Sequence, residues 1–281
     1  MLAAMNDPQV NADEPDVPEP APRPRRKGIY VLPNMITLAA LFGGYYAIVM
    51  AMNGRFEQAV IGVFCAAVLD SLDGRVARMT NTQSAFGEQM DSLSDMVNFG
   101  LAPSLIVYEW ALKGLGKVGW IAAFVYCSCA MLRLARFNTN IGVVDKRFFQ
   151  GLPSPAAAAL VVGFIYVMDD MGFREGIREI PWLMWSTCVI TLYAGLTMVT
   201  NVPFYSFKDL SLKRTVPFVV IVAIALGIAL INLHVPGMLF ALFVGYGLSG
   251  YAMYVYRRMK GRPVSVIATS TDEPDEAGLH R

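Results

Sequence analysis

The sequence predicts an all-α membrane protein that crosses the bilayer several times. Of its 281 residues, 55% are hydrophobic and only 16% are charged, whereas an ordinary soluble domain has about 25% charged residues. Several apolar runs reach the length of about 20 residues that a helix needs to span a bilayer. The net charge of +1 gives no indication of a nucleic-acid partner. The charge that remains is concentrated in residues 70–95, between segments that are almost wholly apolar.

Eight apolar segments are predicted to span the membrane, and a polar tail flanks them at each end. The tails, residues 1–28 and 259–281, contain prolines and acidic residues in a composition typical of disordered chain. The predicted spans are 31–52, 58–80, 87–112, 117–137, 154–169, 181–201, 215–233 and 236–256.

Basic residues in the short loops indicate which side of the membrane each loop occupies. With a cytoplasmic N-terminus, the inside segments hold most of the lysines and arginines, including the clusters at 23–27 and 256–262. The sequence therefore predicts that both termini face the cytoplasm. The charged stretch at 70–95 then lies near the cytoplasmic face of the membrane.

Four aspartates in this stretch form two pairs. Asp70 and Asp73 are three residues apart, and Asp91 and Asp95 are four residues apart, so each pair lies on one face of a helix. Two helices joined by a short polar turn can point these faces at each other. Clustered carboxylates repel one another unless a cation lies between them, and Mg²⁺ typically binds carboxylates together with substrate phosphates. The spacing therefore favours a divalent-metal site for phosphoryl transfer.

The residues around the aspartates suit the same chemistry. Gly74 and Gly87 leave space for a ligand close to the helices, and Ala77 lies one turn beyond Gly74. Arg78 has a planar fork of donors that suits phosphate. The alternative is structural, because acidic residues also favour helix N-termini and Asp70 could simply pair with Arg78.

The pattern D-x₂-D-G-x₂-A-R-x₈-G-x₃-D-x₃-D resembles the signature of the CDP-alcohol phosphatidyltransferases, and the sequence matches every fixed position. Segments that resemble the branch of this family with L-serine as acceptor are LPNMITLAALFGGYYAI (32–48), SDMVNFGLAPS (94–104), RLARFN (133–138), FFQGLPSPAAAA (148–159) and NVPFYSFKDL (201–210).

The resemblance implies a fold, a reaction and a location. The fold is a six-helix core at 29–210, followed by an additional transmembrane helix pair at 211–258. The reaction transfers the phosphatidyl group of CDP-diacylglycerol to the hydroxyl of L-serine and releases CMP. The resemblance also implies a homodimer in the inner (cytoplasmic) membrane, with the active site at the cytoplasmic side.

The resemblance also assigns roles to the residues of the signature. Two divalent metals, Mg²⁺ or Mn²⁺, are held by the four aspartates. Asp95 is the expected general base, and Asp91 belongs with it to the catalytic group. The residues expected to bind the nucleotide and the lipid phosphates are Gly74, Ala77, Arg78, Gly87, Asn34 and Thr37. A proline followed by polar residues, as in PNMIT, is also an ordinary helix start.

A pocket for the serine substrate is predicted where span four ends and span five begins. A buried arginine could hold the carboxylate of serine, and Arg136 with Asn138 is the preferred pair. Arg133, Pro153 and Ser154 complete the predicted pocket. Arginines at the inner end of a span are also expected from orientation alone, and the proline turn could serve only to start a helix.

Two alternatives remain open at this point. The acceptor could be another alcohol, glycerol 3-phosphate or inositol. The protein could instead be an ion or solute transporter, but transport predicts acidic residues spread through the membrane depth or discontinuous helices at its middle. Acidic residues clustered at one face beside a phosphate-binding type of arginine argue against transport.

Overall fold

The structure is a computed structural model that describes residues 31–139, 148–173, 180–205, 226–227, 229 and 234–260. Three predictions fall wholly or mostly outside these residues: the tail at 1–28, the tail at 259–281 apart from its first two residues, and most of the span at 215–233.

Helices make up most of the described chain. In order, the elements are α1 (Val31–Met52), α2 (Phe56–Met79), α3 (Ala85–Asp95), a π-helical segment (Met96–Leu101), α4 (Ala102–Trp110), a 3₁₀ turn (Leu112–Leu115), α5 (Lys117–Thr139), β1 (Phe148–Gln150), α6 (Ser154–Asp170), α7 (Pro181–Val199), β2 (Pro203–Tyr205) and α8 (Val235–Met259).

The prediction of an all-α membrane protein is confirmed. In the described residues, α1, α5, α7 and α8 are each long and apolar enough to cross a membrane. The other helices differ for physical reasons, because α2 carries the charged residues of the signature and α6 has only 17 residues. The count of eight spans therefore stays a prediction.

The predicted span at 87–112 is helical, but a π-helical segment divides it. Pro103 has no backbone N–H, so it cannot donate to the carbonyl of Phe99 as an α-helix requires. The Phe99 carbonyl instead accepts a hydrogen bond of 2.9 Å from the Tyr126 hydroxyl of α5. The wider turns of the π-helical segment begin directly after Asp95, which is typical of such segments near functional sites.

Small residues bring α1 and α2 into close contact. A side chain at Gly43 would lie 3.2 Å from the Cβ of Ala66 and 3.3 Å from the carbonyl oxygen of Gly62. Membrane helices commonly approach each other through such residues, because dispersion contacts replace the hydrophobic effect there. The close contact holds the C-terminal half of α2 beside the start of α1.

A short antiparallel pair of strands connects the chain before α6 with the chain after α7. The register pairs Phe149 with Phe204 and Gln150 with Pro203. Gly151 follows with a φ of +76°, and a side chain there would lie 2.3 Å from the Met198 carbonyl oxygen. The glycine therefore permits the tight turn that leads into α6.

Candidate active site

Three of the four aspartates converge between α2 and α3. One carboxylate oxygen from each of Asp70, Asp91 and Asp95 lies within 4.8 Å of the others, and we call these residues the carboxylate cluster. The turn between the helices brings them together. Ser84 caps α3 by accepting a hydrogen bond of 3.0 Å from the backbone N–H of Gly87.

The carboxylate cluster has the donor set that a divalent metal requires. Within the described part of the chain, the Oδ1 atoms of Asp70 and Asp95 are buried and have no hydrogen-bond partner. Burying a charged oxygen without a partner is costly. Oxygen ligands of this type are those that Mg²⁺ and Mn²⁺ prefer. The residues present therefore fit a divalent cation.

Asp73 has a different environment from the other three. It is only 3% exposed. Its Oδ2 accepts a hydrogen bond of 2.6 Å from the Thr37 hydroxyl, and its Oδ1 accepts one of 2.5 Å from the Gly74 backbone N–H. The carboxylate is therefore fixed by α1 and by its own helix, at the edge of the cluster.

A cavity of about 430 Å³ opens beside the carboxylate cluster, between α1, α2 and α3. We call it the α1–α3 cavity. Asp91 of the cluster and the neighbouring Asp73 form part of its wall, so the cavity and the cluster adjoin each other. Its other lining residues are Pro33, Asn34, Thr37, Gly74, Ala77, Arg78, Thr82, Gln83, Ser84, Ala85, Gly87 and Glu88.

All six residues predicted to bind the nucleotide and the lipid phosphates line the α1–α3 cavity. The sequence analysis missed the wall formed by the turn, which includes Thr82, Gln83 and Ser84. A signal for it was present, because a serine at the start of a helix with an acidic residue in the first turn, here Ser84 and Glu88, is typical of a helix N-terminus. Glu88 adds a further acidic side chain to the same wall.

Arg133 lies on the other side of the carboxylate cluster, in the last turns of α5. Its Nη1 donates a hydrogen bond to the hydroxyl of Ser154, the first residue of α6. Its guanidinium also interacts favourably with the charge of Asp95. Ser154 is 1% exposed, and Pro153 directly precedes it as the cap of α6.

Arg136, one turn further along α5, faces backbone oxygens. Its Nη1 donates to the Val199 carbonyl at 3.0 Å and to the Asn201 side chain at 3.1 Å. Its Nη2 donates to the Gln150 carbonyl at 3.1 Å. Further acceptors of Nη2, at 3.3 and 3.4 Å, are the carbonyls of Met198 and Thr200. These bonds tie α5 to the end of α7 and to β1.

Asn138 contacts α3 rather than α6. Its side-chain nitrogen donates a hydrogen bond of 3.1 Å to the hydroxyl of Ser92, the residue after Asp91. The structure thus brings Arg133 and Ser154 together beside Asp95. It gives Arg136 and Asn138 separate partners. We call the region of Arg133, Ser154 and Pro153 the α5–α6 junction.

The apolar helices, the carboxylate cluster and the α1–α3 cavity suit a membrane enzyme that transfers phosphoryl groups. The family model described as CDP-alcohol phosphatidyltransferase matches residues 30–193. The chain belongs to this family, which confirms the resemblance seen in the signature.

Several similar proteins carry the name CDP-diacylglycerol–serine O-phosphatidyltransferase. The one from Helicobacter pylori is 35% identical over 221 residues, which cover 78% of this chain and 90% of that protein. The one from Methanocaldococcus jannaschii is 30% identical over 224 residues, 79% of this chain and 95% of that protein. The one from Bacillus subtilis is 34% identical over 153 residues, 54% of this chain and 85% of that protein.

Proposed function

We propose that this protein transfers the phosphatidyl group of CDP-diacylglycerol to the hydroxyl of L-serine and releases CMP. The observation that carries the proposal is the carboxylate cluster, with two buried oxygens that lack partners among the described residues, beside a cavity lined by the residues of the family signature. The names of the similar proteins support serine as the acceptor.

The four aspartates are the proposed ligands of two divalent cations, Mg²⁺ or Mn²⁺. Asp70, Asp91 and Asp95 offer oxygens in one small volume, and Asp73 lies at its edge, where it also lines the cavity. When bound, such cations offset the charge of a diphosphate and stabilise the charge that develops on it during transfer.

The α1–α3 cavity is the proposed site of the cytidine diphosphate group. Arg78 lines it and offers a donor fork to a phosphate. At Gly74 an added Cβ would meet only the Arg78 Nη1, at 3.9 Å, so the absent side chain leaves the space to a ligand. At Gly87 an added Cβ would lie 3.2 Å from the side chains of Asn34 and Ser84.

Asp95 is the proposed general base. It accepts the proton of the serine hydroxyl, whose oxygen forms a bond to the phosphorus that carries diacylglycerol, while the bond from that phosphorus to CMP breaks. Asp91 assists by its position, because it belongs both to the carboxylate cluster and to the cavity wall. Asp95 and Asp91 thus place the proton acceptor next to the reacting phosphate.

The α5–α6 junction is the proposed site of the acceptor. A guanidinium has five N–H donors, and Ser154 is the one hydrogen-bond partner that the described residues give to Arg133. Its remaining donors suit the carboxylate of serine, next to the base. Arg136 and Asn138 would support this pocket without contacting serine, because their polar atoms already bind other parts of the protein.

The proposed setting is the inner membrane, with both termini and the active site on the cytoplasmic side. CDP and serine are polar solutes, which suits a site on that side. The proposed organisation is a tail at 1–28, a core at 29–210, a helix pair at 211–258 and a tail at 259–281, in a homodimer. The orientation is tested by placing a single cysteine in each tail and treating intact cells with a membrane-impermeant thiol label. Cysteines that react only after the membrane is permeabilised would support a cytoplasmic location for both tails.

A transfer assay on purified protein tests the proposed reaction. Radiolabelled serine, glycerol 3-phosphate and inositol are offered in parallel with CDP-diacylglycerol and Mg²⁺ or Mn²⁺. We expect labelled phosphatidylserine and release of CMP that stops on addition of EDTA. Another labelled lipid would overturn serine as the acceptor, and the absence of product from folded protein with any of the alcohols would overturn the reaction.

A further inference from the structure

A chain of buried polar groups lies behind the carboxylates and joins the three helices that carry the site. The Thr37 hydroxyl of α1 donates to Asp73 of α2 at 2.6 Å. The Ser94 hydroxyl of α3 donates to the backbone carbonyl of the same Thr37 at 3.4 Å. Asn98, in the π-helical segment, donates from Nδ2 to the Ser94 hydroxyl at 3.1 Å.

The members of this chain are among the most buried polar residues of the protein. Thr37 is 4% exposed, Ser94 2% and Asn98 0%. The Oδ1 of Asn98 has no hydrogen-bond partner in the described residues, and it presses against α1, where a Cβ at Gly44 would lie only 2.1 Å from it. Asn98 therefore fixes the distance between α1 and the helix that carries Asp95.

These buried hydrogen bonds connect α1 to both pairs of aspartates. Through its hydroxyl, Thr37 orients the carboxylate of Asp73, and through its carbonyl it holds Ser94, which directly precedes Asp95. Hydrogen bonds between membrane helices contribute little to stability on average, and a bond of 3.4 Å is weak. The short bond of 2.6 Å from Thr37 to Asp73 is the strongest link, so orientation of the Asp73 carboxylate, rather than stability, is the main consequence of these hydrogen bonds.

We propose that Asn98, Ser94 and Thr37 are positioning residues that hold Asp73 in register with Asp91 and Asp95, and so set the affinity of the carboxylates for a divalent cation. The inference rests on the metal site of the proposed function. It assigns to Thr37 a role that needs no nucleotide, although Thr37 also lines the α1–α3 cavity.

Replacement of the Thr37 hydroxyl tests the proposal in the absence of substrates. Mn²⁺ is titrated into purified, metal-free protein in detergent, and free Mn²⁺ is measured by electron paramagnetic resonance. We expect Thr37→Val to weaken Mn²⁺ binding about tenfold, because loss of a group that orients a metal ligand typically costs 10–100-fold in affinity. Thr37→Ser keeps the hydroxyl and should bind Mn²⁺ as the wild type does.

Thr191→Val is the matched control. Thr191 is 0% exposed and donates only within its own helix, to the Thr187 carbonyl at 2.8 Å, just as Thr37 also contacts the Pro33 carbonyl at 3.1 Å. Its substitution removes a buried hydroxyl from α7, a helix that carries none of the four aspartates. We expect unchanged Mn²⁺ affinity for this variant.

Ser94→Ala removes the hydrogen bonds that the Ser94 hydroxyl makes with Thr37 and Asn98. We expect a smaller loss of Mn²⁺ affinity than for Thr37→Val. Mn²⁺ affinity of Thr37→Val equal to that of Thr191→Val would overturn the proposal. If Thr37→Val does not fold, Ser94→Ala decides: wild-type affinity overturns the proposal, and a loss supports it. Wild-type protein that binds no Mn²⁺ also overturns it, whereas protein that binds Mn²⁺ but makes no phosphatidylserine counts only against the proposed reaction.

Discussion

The two sides of the carboxylate cluster are built in different ways. On one side, the α1–α3 cavity is lined by side chains of three helices that follow one another in the chain. On the other side, the α5–α6 junction is held by bonds between segments that are distant in sequence, such as Arg136 of α5 and the carbonyls at the end of α7. The first side depends on the spacing of side chains along adjacent helices. The second depends on contacts between distant segments, which are Arg133 with the Ser154 hydroxyl and Arg136 with backbone carbonyls.

This difference determines what each arginine can do. Arg78 on the cavity side is exposed and faces the space where a phosphate would lie. At the junction, Arg133 donates to one hydroxyl among the described residues, whereas both terminal nitrogens of Arg136 are engaged. A guanidinium surrounded by carbonyls fixes a fold, and one with unused donors can bind an anion. The predictions below test this division.

The largest effect is expected at the point where the two sides meet. Asp95→Asn keeps the size of the side chain but removes the proposed base, so we expect kcat to fall by about 10³-fold, in the range typical for loss of a general base. CDP-diacylglycerol binding should be largely retained, because the other aspartates remain. CMP release and equilibrium binding of the nucleotide lipid measure the two quantities separately.

Asp170→Asn is the control for this substitution. Asp170 lies at the opposite end of α6, where its carboxylate pairs with His234 at 3.1 Å, and we expect wild-type activity. If Asp95→Asn lost the binding of CDP-diacylglycerol together with activity, the main role of Asp95 would be to bind the metal and substrate, and not to act as the base.

The second-largest effect should be confined to the binding of the serine substrate. Arg133→Ala removes the proposed partner of the serine carboxylate, and truncation of one partner of a charge-assisted hydrogen bond costs about 1.5–3 kcal/mol. The KM for serine should therefore rise about 10–100-fold, while the KM for CDP-diacylglycerol changes little. Initial rates with each substrate varied in turn give both values, and equal rises would remove Arg133 from the acceptor pocket.

The sequence also predicts the α1–α3 cavity more completely than the α5–α6 junction. The α1–α3 cavity depends on residues spaced along adjacent helices, so the signature was sufficient to predict Gly74 and Arg78, and the PNMIT segment at the start of α1 predicted Asn34. The π-helical segment was not predicted. Pro103 marks the lost backbone hydrogen bond in the sequence, but the group that replaces it at the Phe99 carbonyl is the Tyr126 hydroxyl, which is far away in the sequence.

The α5–α6 junction was predicted less completely for a similar reason. The sequence indicated that arginines end α5, but nothing in it distinguished Arg133 from Arg136. That distinction depends on where the end of α7 and the strand β1 lie, since their carbonyls face Arg136. Backbone acceptors have no sequence signature, so the preferred pair of Arg136 and Asn138 could be judged only from the fold.

A moderate effect is expected on the cavity side. Gly74→Ala adds a methyl group where the only neighbour within 4 Å is Arg78. The protein should fold normally, because no backbone atom is displaced, but the methyl group should raise the KM for CDP-diacylglycerol about tenfold by occupying space that the ligand needs. The KM for serine should not change.

Gly245→Ala is the matched control for this prediction, because a Cβ at Gly245 meets nothing within 4 Å and the residue lies in α8. Wild-type kinetics are expected for it. Wild-type KM values for Gly74→Ala as well would show that the nucleotide lies elsewhere than against α2.

The smallest effect on activity is expected for Arg136→Ala. This variant tests whether Arg136 has a structural role rather than a role in binding serine. The substitution leaves the carbonyls of Gln150 and Val199 without their donor, at a cost of about 2 kcal/mol, so the midpoint of thermal unfolding should fall by about 5 °C. The KM values for the two substrates should rise equally and by only a few fold, because the whole junction loosens. The prediction from sequence, which places Arg136 in the serine pocket, gives a different result: the KM for serine should rise more than the KM for CDP-diacylglycerol. That result without a change in unfolding would mean that the guanidinium leaves its carbonyls when serine binds, and both arginines would then belong to the acceptor site.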